Sequence, residues 1–130
     1  MMLHEALVCL LLSDATVATL VGNRVYPNVA PQTAPAPWIV YQRIDDNPIH
    51  SHGGRSYLSK TRMQLTMQGN SYEQLYRLVN AVKGRLDAYR GTINGLTVGS
   101  CFVENTLDDY DPTALKPLVH MDVMVQHDEQ

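Results

Sequence analysis

At 130 residues the chain is about one domain long, enough to bury a single core and too short for two. A composition of 45% hydrophobic and 18% charged residues excludes a disordered chain. A net charge of −3 with a pI near 5.9 argues against a general nucleic-acid binder, whose affinity comes from a basic surface that releases counterions from phosphates.

In chain order, the first feature is the apolar run at residues 6–12. No Lys or Arg precedes it, and His4 and Glu5 stand where the positive region of a signal peptide belongs. The run is also far shorter than the roughly 20 apolar residues of a membrane span. A soluble, intracellularly made protein with no membrane partner is expected. Residues 2–12 read as a helix and 14–21 as a second helical piece, with Asp14 as N-cap and Gly22 as stop, making 2–21 helical. Being apolar almost all the way round, the first helix needs cover on two sides: the home sheet on one, and a neighbouring subunit or the second helical piece on the other.

Pro27, Pro31, Pro35 and Pro37 mark an extended connector over 27–37. Trp38 to Ile44 reads as a largely buried strand. Residues 45–57 are turn formers, and they read as a long polar loop, a length that is uncommon unless the loop binds something. Strict alternation of Met63, Leu65 and Met67 with Arg62, Gln64, Thr66 and Gln68 predicts a half-buried antiparallel strand over 61–68.

Ser71, with Gln74 three residues on, opens the main helix, 71–89. Its expected buried stripe is Tyr72, Leu75, Tyr76, Val79, Val82, Leu86 and Tyr89, with Gly91 as its end. Asn94-Gly95 between β-formers is the strongest hairpin signal in the chain. A strand then runs to about Leu107, an acidic turn covers 108–112, and the last strand alternates Val119, Met121, Val123 and Val125 with polar neighbours. The expectation is one α+β domain, 1–130, in the order helix, strand, strand, helix, strand, strand, with an antiparallel sheet of about four strands packed on one face by helices.

Cys9 and Cys101, far apart in apolar segments, read as buried thiols in a reducing cytoplasm. His50 and His52 would need a third ligand from Asp45 or Asp46 to hold a metal, and with no cysteine beside them they read as solvated loop. His52-Gly53-Gly54 is faintly like an oxyanion loop, but no Gly-x-Ser-x-Gly elbow supplies a nucleophile. Cys101 with His120 would pair a thiol and a base, yet no positive neighbour lowers the thiol pKa in the sequence around it. Asp108, Asp109 and Asp111 lack the glycine and distal glutamate of an EF-hand loop and read as a solvated turn. Gly53-Gly54-Arg55-Ser56 leads into a strand, where the anion-binding geometry of a helix N-terminus is missing. The expectation is no catalytic, cofactor-binding or metal residue, and a structural or interaction protein.

Several stretches in fixed order carry a resemblance: the N-terminal apolar helix, Leu20-Val21-Gly22-Asn23-Arg24-Val25-Tyr26-Pro27, Ala30-Pro31, and Pro37-Trp38-Ile39-Val40-Tyr41-Gln42-Arg43-Ile44. After the strand ending at Gln68 come Tyr72-Glu73-Gln74-Leu75, Val79-Asn80-Ala81-Val82, the glycines Gly91 and Gly95, and Tyr110-Asp111 before the last strand. In this order and spacing the chain resembles the tail completion (tail terminator) family of long-tailed bacteriophages. The resemblance implies a homo-oligomeric ring, a hexamer, that caps the tail tube, stops its polymerisation and joins tail to head. The implied partners are further copies of the chain, the major tail tube protein and a head-tail connector or stopper protein, with genomic DNA passing only transiently through the lumen. It implies no cofactor, and a place at the head-proximal end of the virion tail after assembly in the host cytoplasm. Leu3, Leu7 and Leu11 are then the candidate ring contacts, and Ile49, His50, His52, Arg55 and Tyr57 the candidate contacts to tube or neighbour. The competing readings are a head-completion or other neck protein of the same particle, and a small metal-dependent or thiol enzyme on an α+β scaffold.

Overall fold

The computed structural model describes residues 3–31, 33–51 and 54–128, with backbone alone for 48–51 and 54–58. Helices α1 (Leu3–Leu12) and α2 (Ala15–Val21) come first, then strands β1 (Val25–Pro27), β2 (Trp38–Ser51) and β3 (Gly54–Gln68). Helix α3 (Tyr72–Leu86) and strands β4 (Gly91–Ile93), β5 (Leu96–Asp111) and β6 (Lys116–Asp128) complete the chain. The fold is α+β as expected, but the sheet is six-stranded and mixed, in the order β1-β2-β3-β6-β5-β4. Four of these strands are long, and they are the antiparallel ones expected. The two additions, β1 parallel to β2 and β4 antiparallel to β5, are three residues each, too short to show a period.

The two N-terminal helices meet at a bend of 95°, where Asp14 Oδ1 accepts from the N–H groups of Thr16 and Val17. No single described helix is long and apolar enough to cross a membrane. Gly22 ends α2 with φ 62, its N–H bonded to Ala18 O at 2.8 Å. Arg24 ties the connector down by donating to Pro37 O and Leu20 O. Ser71 caps α3 by accepting from the Gln74 N–H, while Gln74 Oε1 reaches back to the Asn70 N–H.

Helix α3 stops at Leu86, short of the expected 89. Asp87 is its C-cap, Ala88 turns the chain with φ 62, and Gly91 opens β4. Its buried stripe is Leu75, Leu78, Val79, Val82 and Leu86, while Tyr72 and Tyr76 are exposed, their rings 5.9 Å apart and tilted by 36°. Leu78, which the expected stripe omitted, takes the inward place because the helix is rotated toward it. Facing the stripe are the inward rows Met63, Leu65 and Met67 of β3 and Val119, Met121, Val123 and Val125 of β6, all in one core with α1 and α2. Each such side chain contributes roughly 1.5–3 kcal/mol as an upper bound.

Two expected turns are strand. Residues 45–51 belong to β2 and 54–57 to β3, and 108–111 belong to β5, so the turn between β5 and β6 comes after Asp111. The Asn94-Gly95 hairpin stands as expected, with φ 46 and 93.

The backbone at Gly69 passes so close to α3 that a Cβ there would lie 2.8 Å from Leu75 Cβ and 2.9 Å from its backbone. Leu75 is fully buried and cannot retreat. Gly69→Ala is expected to cost about 1–3 kcal/mol and to lower the melting temperature, and an unchanged melting curve would refute this contact.

Candidate functional site

A sheet with helices on one face only must meet water or another molecule on the other. All three helices join the single inward core, and the outward rows of β3, β6 and β5 carry a ladder of polar contacts. Gln68 Nε2 donates to Asp111 Oδ2 at 3.2 Å. Thr66 Oγ1 lies 2.9 Å from His120 Nδ1, and His120 Nε2 lies 3.1 Å from Asp109 Oδ2. Farther along, Arg62 Nη1 pairs with Glu104 Oε2 at 3.2 Å. Phe102 and Leu107 stand on the same face, 53% and 58% exposed.

Two carboxylates of this face, Asp109 and Asp111, are held toward the ionised form. The Tyr110 N–H, and then the His120 side chain, bring Asp109 below its ordinary range. The Ala114 N–H, helped by those of Thr113 and the Gln68 amide, does the same for Asp111.

At the far end of the inward face the helices run out, and the row turns polar: Ser59, Thr61 and His127 are buried there. Thr61 Oγ1 donates to Asp46 Oδ1 at 2.9 Å and lies 2.8 Å from His127 Nε2, while His127 Nδ1 lies 2.8 Å from Asp128 O. A carboxylate and a carbonyl can only accept, so all three bonds form together only when both ring nitrogens of His127 carry protons. His120, by contrast, meets its two partners with one proton, on Nε2. Beside the network opens a groove of about 740 Å³ lined by residues that include Leu3, His4, Tyr41, Arg43 and Met63, where His4 stacks on Tyr41 at 6.1 Å.

The structure separates the residues that the sequence grouped. Leu7 and Leu11 are 4% and 0% exposed, packed in the home core, while Leu3 is half-buried at the groove. Ile49, His50 and Arg55 are strand residues, with His50 opposite Arg55. Tyr57 sits where the β2–β3 register shifts, and His52 lies outside the described residues. Cys101 belongs to the inward row of β5 and His120 to the outward row of β6, so the sheet itself stands between that thiol and that base. Asp108 faces α3, where Tyr76 donates to it at 3.0 Å, and thus points away from Asp109 and Asp111. Among the described residues no group of three His, Cys, Asp or Glu could hold a metal ion.

Cys9, expected buried, is exposed. Glu104, Phe102 and Leu107 were missed as surface residues because bulges at Gly99 and Glu104 interrupt the alternation of β5. The signal that would have found them is the continued alternation of 105–111 once that slip is allowed.

Two outcomes test the interior. Thr61→Val removes the shared hydroxyl and is expected to cost about 1–3 kcal/mol, with Thr61→Ser retaining most of the stability. Burial, and then the Asp87 charge, push the Cys101 thiol up from 9.0 to about 12. A thiol reagent near neutral pH is expected to label Cys9 quickly and Cys101 only on unfolding. With the folded value above the unfolded one, the linked stability is complete below pH 9.0 and is lost as pH rises toward about 12. Equal labelling of both thiols in the native protein would refute the burial of Cys101.

Comparison with known proteins agrees with this geometry. No curated protein matches the chain. Among solved structures, a chain from the "Virion of native gene transfer agent (GTA) particle" is similar, with a TM-score of 0.80 at 15% sequence identity, over 97% of this chain and 94% of that one. At that identity the likeness speaks for the fold. The sequence pattern of the family described as "Tail completion protein gp17" matches residues 5–126, nearly the whole length, and the chain belongs to that family of structural virion proteins.

Proposed function

We propose that copies of this chain close into a ring, a hexamer, that caps the phage tail tube, stops its polymerisation and offers the surface that joins tail to head. The observation that carries the proposal is the family match across residues 5–126. The fold supports it in a second way. Opposite ends of one sheet carry different surfaces, the β2–β3 hairpin and the acidic outward face of β5, as a head-to-tail ring requires of each protomer. The partners in this reading are the neighbouring copies, the major tail tube protein on one side and a head-tail connector or stopper protein on the other. Its place is the head-proximal end of the tail, reached by assembly in the host cytoplasm. DNA crosses the lumen without being gripped, in keeping with a net charge of −3.

Removing the gene from the particle that encodes it tests the proposal. The expected result is tails of irregular length and capsids left without tails, seen by electron microscopy. Normal-length tails joined to capsids would overturn it.

A further inference from the structure

We propose that the far stretch of β5, with the tyrosines of α3 beside it, receives the β1–β2 edge of a second copy of the chain, Arg43 of that copy seating against Asp108. The inference rests on the ring reading above and names the contact that would close the ring.

The apolar surface supplies the first half of the argument. Eight large apolar side chains are exposed among the described residues, and six of them gather around β5. Phe102, Leu107 and Tyr110 stand on the strand and Leu115 in the turn after it, while Tyr72 and Tyr76 lie on the side of α3 from which Tyr76 donates to Asp108. Strand β4 covers β5 only at 96–98, and the Ala88 N–H and Asp87 Oδ1 bond at Cys101 and Val103, so among the described residues no strand lies outside 104–111. Exposed apolar side chains gathered in one place mark a protein contact, and tyrosine is enriched in such contacts because it joins a large ring to a polar hydroxyl.

The charges name the occupant. Residues 102–111 contain Glu104, Asp108, Asp109 and Asp111 and no Lys or Arg. Residues 22–44, which include β1, the connector and the start of β2, contain Arg24 and Arg43 and no Asp or Glu. The other two exposed apolar side chains, Val29 and Ile44, lie here, and a bond of 2.9 Å from the Asn28 N–H to Tyr41 O holds the chain at Val29 beside β2. The Arg43 side chain is 64% exposed, and it lies 3.8 Å from Asp46. An exposed pair of that length is weak, so Arg43 can leave Asp46, which keeps the Thr61 hydroxyl, at small cost. At β5 the guanidinium gains the Asp108 carboxylate and tyrosine rings, whose faces attract a cation.

The sheet makes the contact intermolecular and sets its sense. In the order β1-β2-β3-β6-β5-β4, strands β3 and β6 and the helices packed on them stand between the two edges. Within one copy Arg43 turns to Asp46, and Asp108 to Tyr76. Arg43 lies opposite buried Met63 and Asp108 opposite buried Val119, so both are on the helix side of the sheet. Rotation about a ring axis keeps the same face of every copy toward that axis, so the helix side of one edge meets the helix side of the next. Two different edges that match in charge and in face make a head-to-tail contact that repeats around a ring.

The test uses tails assembled by complementing a particle that lacks the chain. Arg43→Glu and Asp108→Arg are each expected to lower the yield of ringed tails about tenfold, and the two together to restore it. In a Cys9→Ala background, Arg43→Cys combined with Asp108→Cys is expected to give, with a short bismaleimide, linked copies in a ladder that ends at the ring size, and either cysteine alone to give none. Should a charge variant fail to fold by its melting curve, the cysteine pair decides. Rings that form with no charge effect and no ladder, or Asp108→Cys linked to a different virion protein, would overturn the docking and leave the ring reading standing. Wild-type chain that never forms a ring on tails would overturn both.

Discussion

The packing of the α3 stripe, from Leu75 to Leu86, into the inward rows of β3 and β6 is the contact on which the other elements depend. Those rows are central in the sheet, so the helix covers the one place where apolar side chains from both strands converge. Once α3 is seated there, α1 and α2 fit beside it, and Arg85 ties α3 to α1 and to the turn that follows it by donating to Leu10 O and Ser13 Oγ. Helices on one side leave the opposite side of the sheet to polar ladders, which is why the surface chemistry of this protein is concentrated there.

Where the helices end, the inward row becomes Ser59, Thr61 and His127, and hydrogen bonds replace apolar packing. A buried polar cluster is stable only if each member is satisfied, and among the described residues no buried side-chain polar atom lacks a partner. The cluster joins the base of the β2–β3 hairpin to β6.

The edges of the sheet are blunted. The β2 edge carries a bulge at Ile44, the acidic Asp45 and Asp46, and Pro48, and the β5 edge carries a bulge at Glu104. The Ala88 N–H and Asp87 Oδ1 occupy part of the β5 edge at Cys101 and Val103. Features of this kind discourage strand-to-strand growth.

Much of the architecture was legible in the residues themselves. The caps Asp14 and Ser71, the stop at Gly22, the Asn94-Gly95 turn and the alternation of β3 and β6 are local signals, decided within a few bonds of each residue. Family membership was legible too, because order and spacing along the whole chain are sequence properties. The ends of the long strands were not. Polar residues 45–51 and 108–111 read as turns in isolation, and they are held in strands by neighbours distant in sequence, β3 for the first and β6 for the second. Nor could sequence alone say that Leu7 and Leu11 face the home core, that Cys9 does not, or that Cys101 and His120 lie on opposite faces. The chain by itself determined which segments are helix and which are strand-forming, since those depend on local period and capping. Only the tertiary structure decided which face of each segment is buried and which residues meet, since that depends on register and on which helix covers which row.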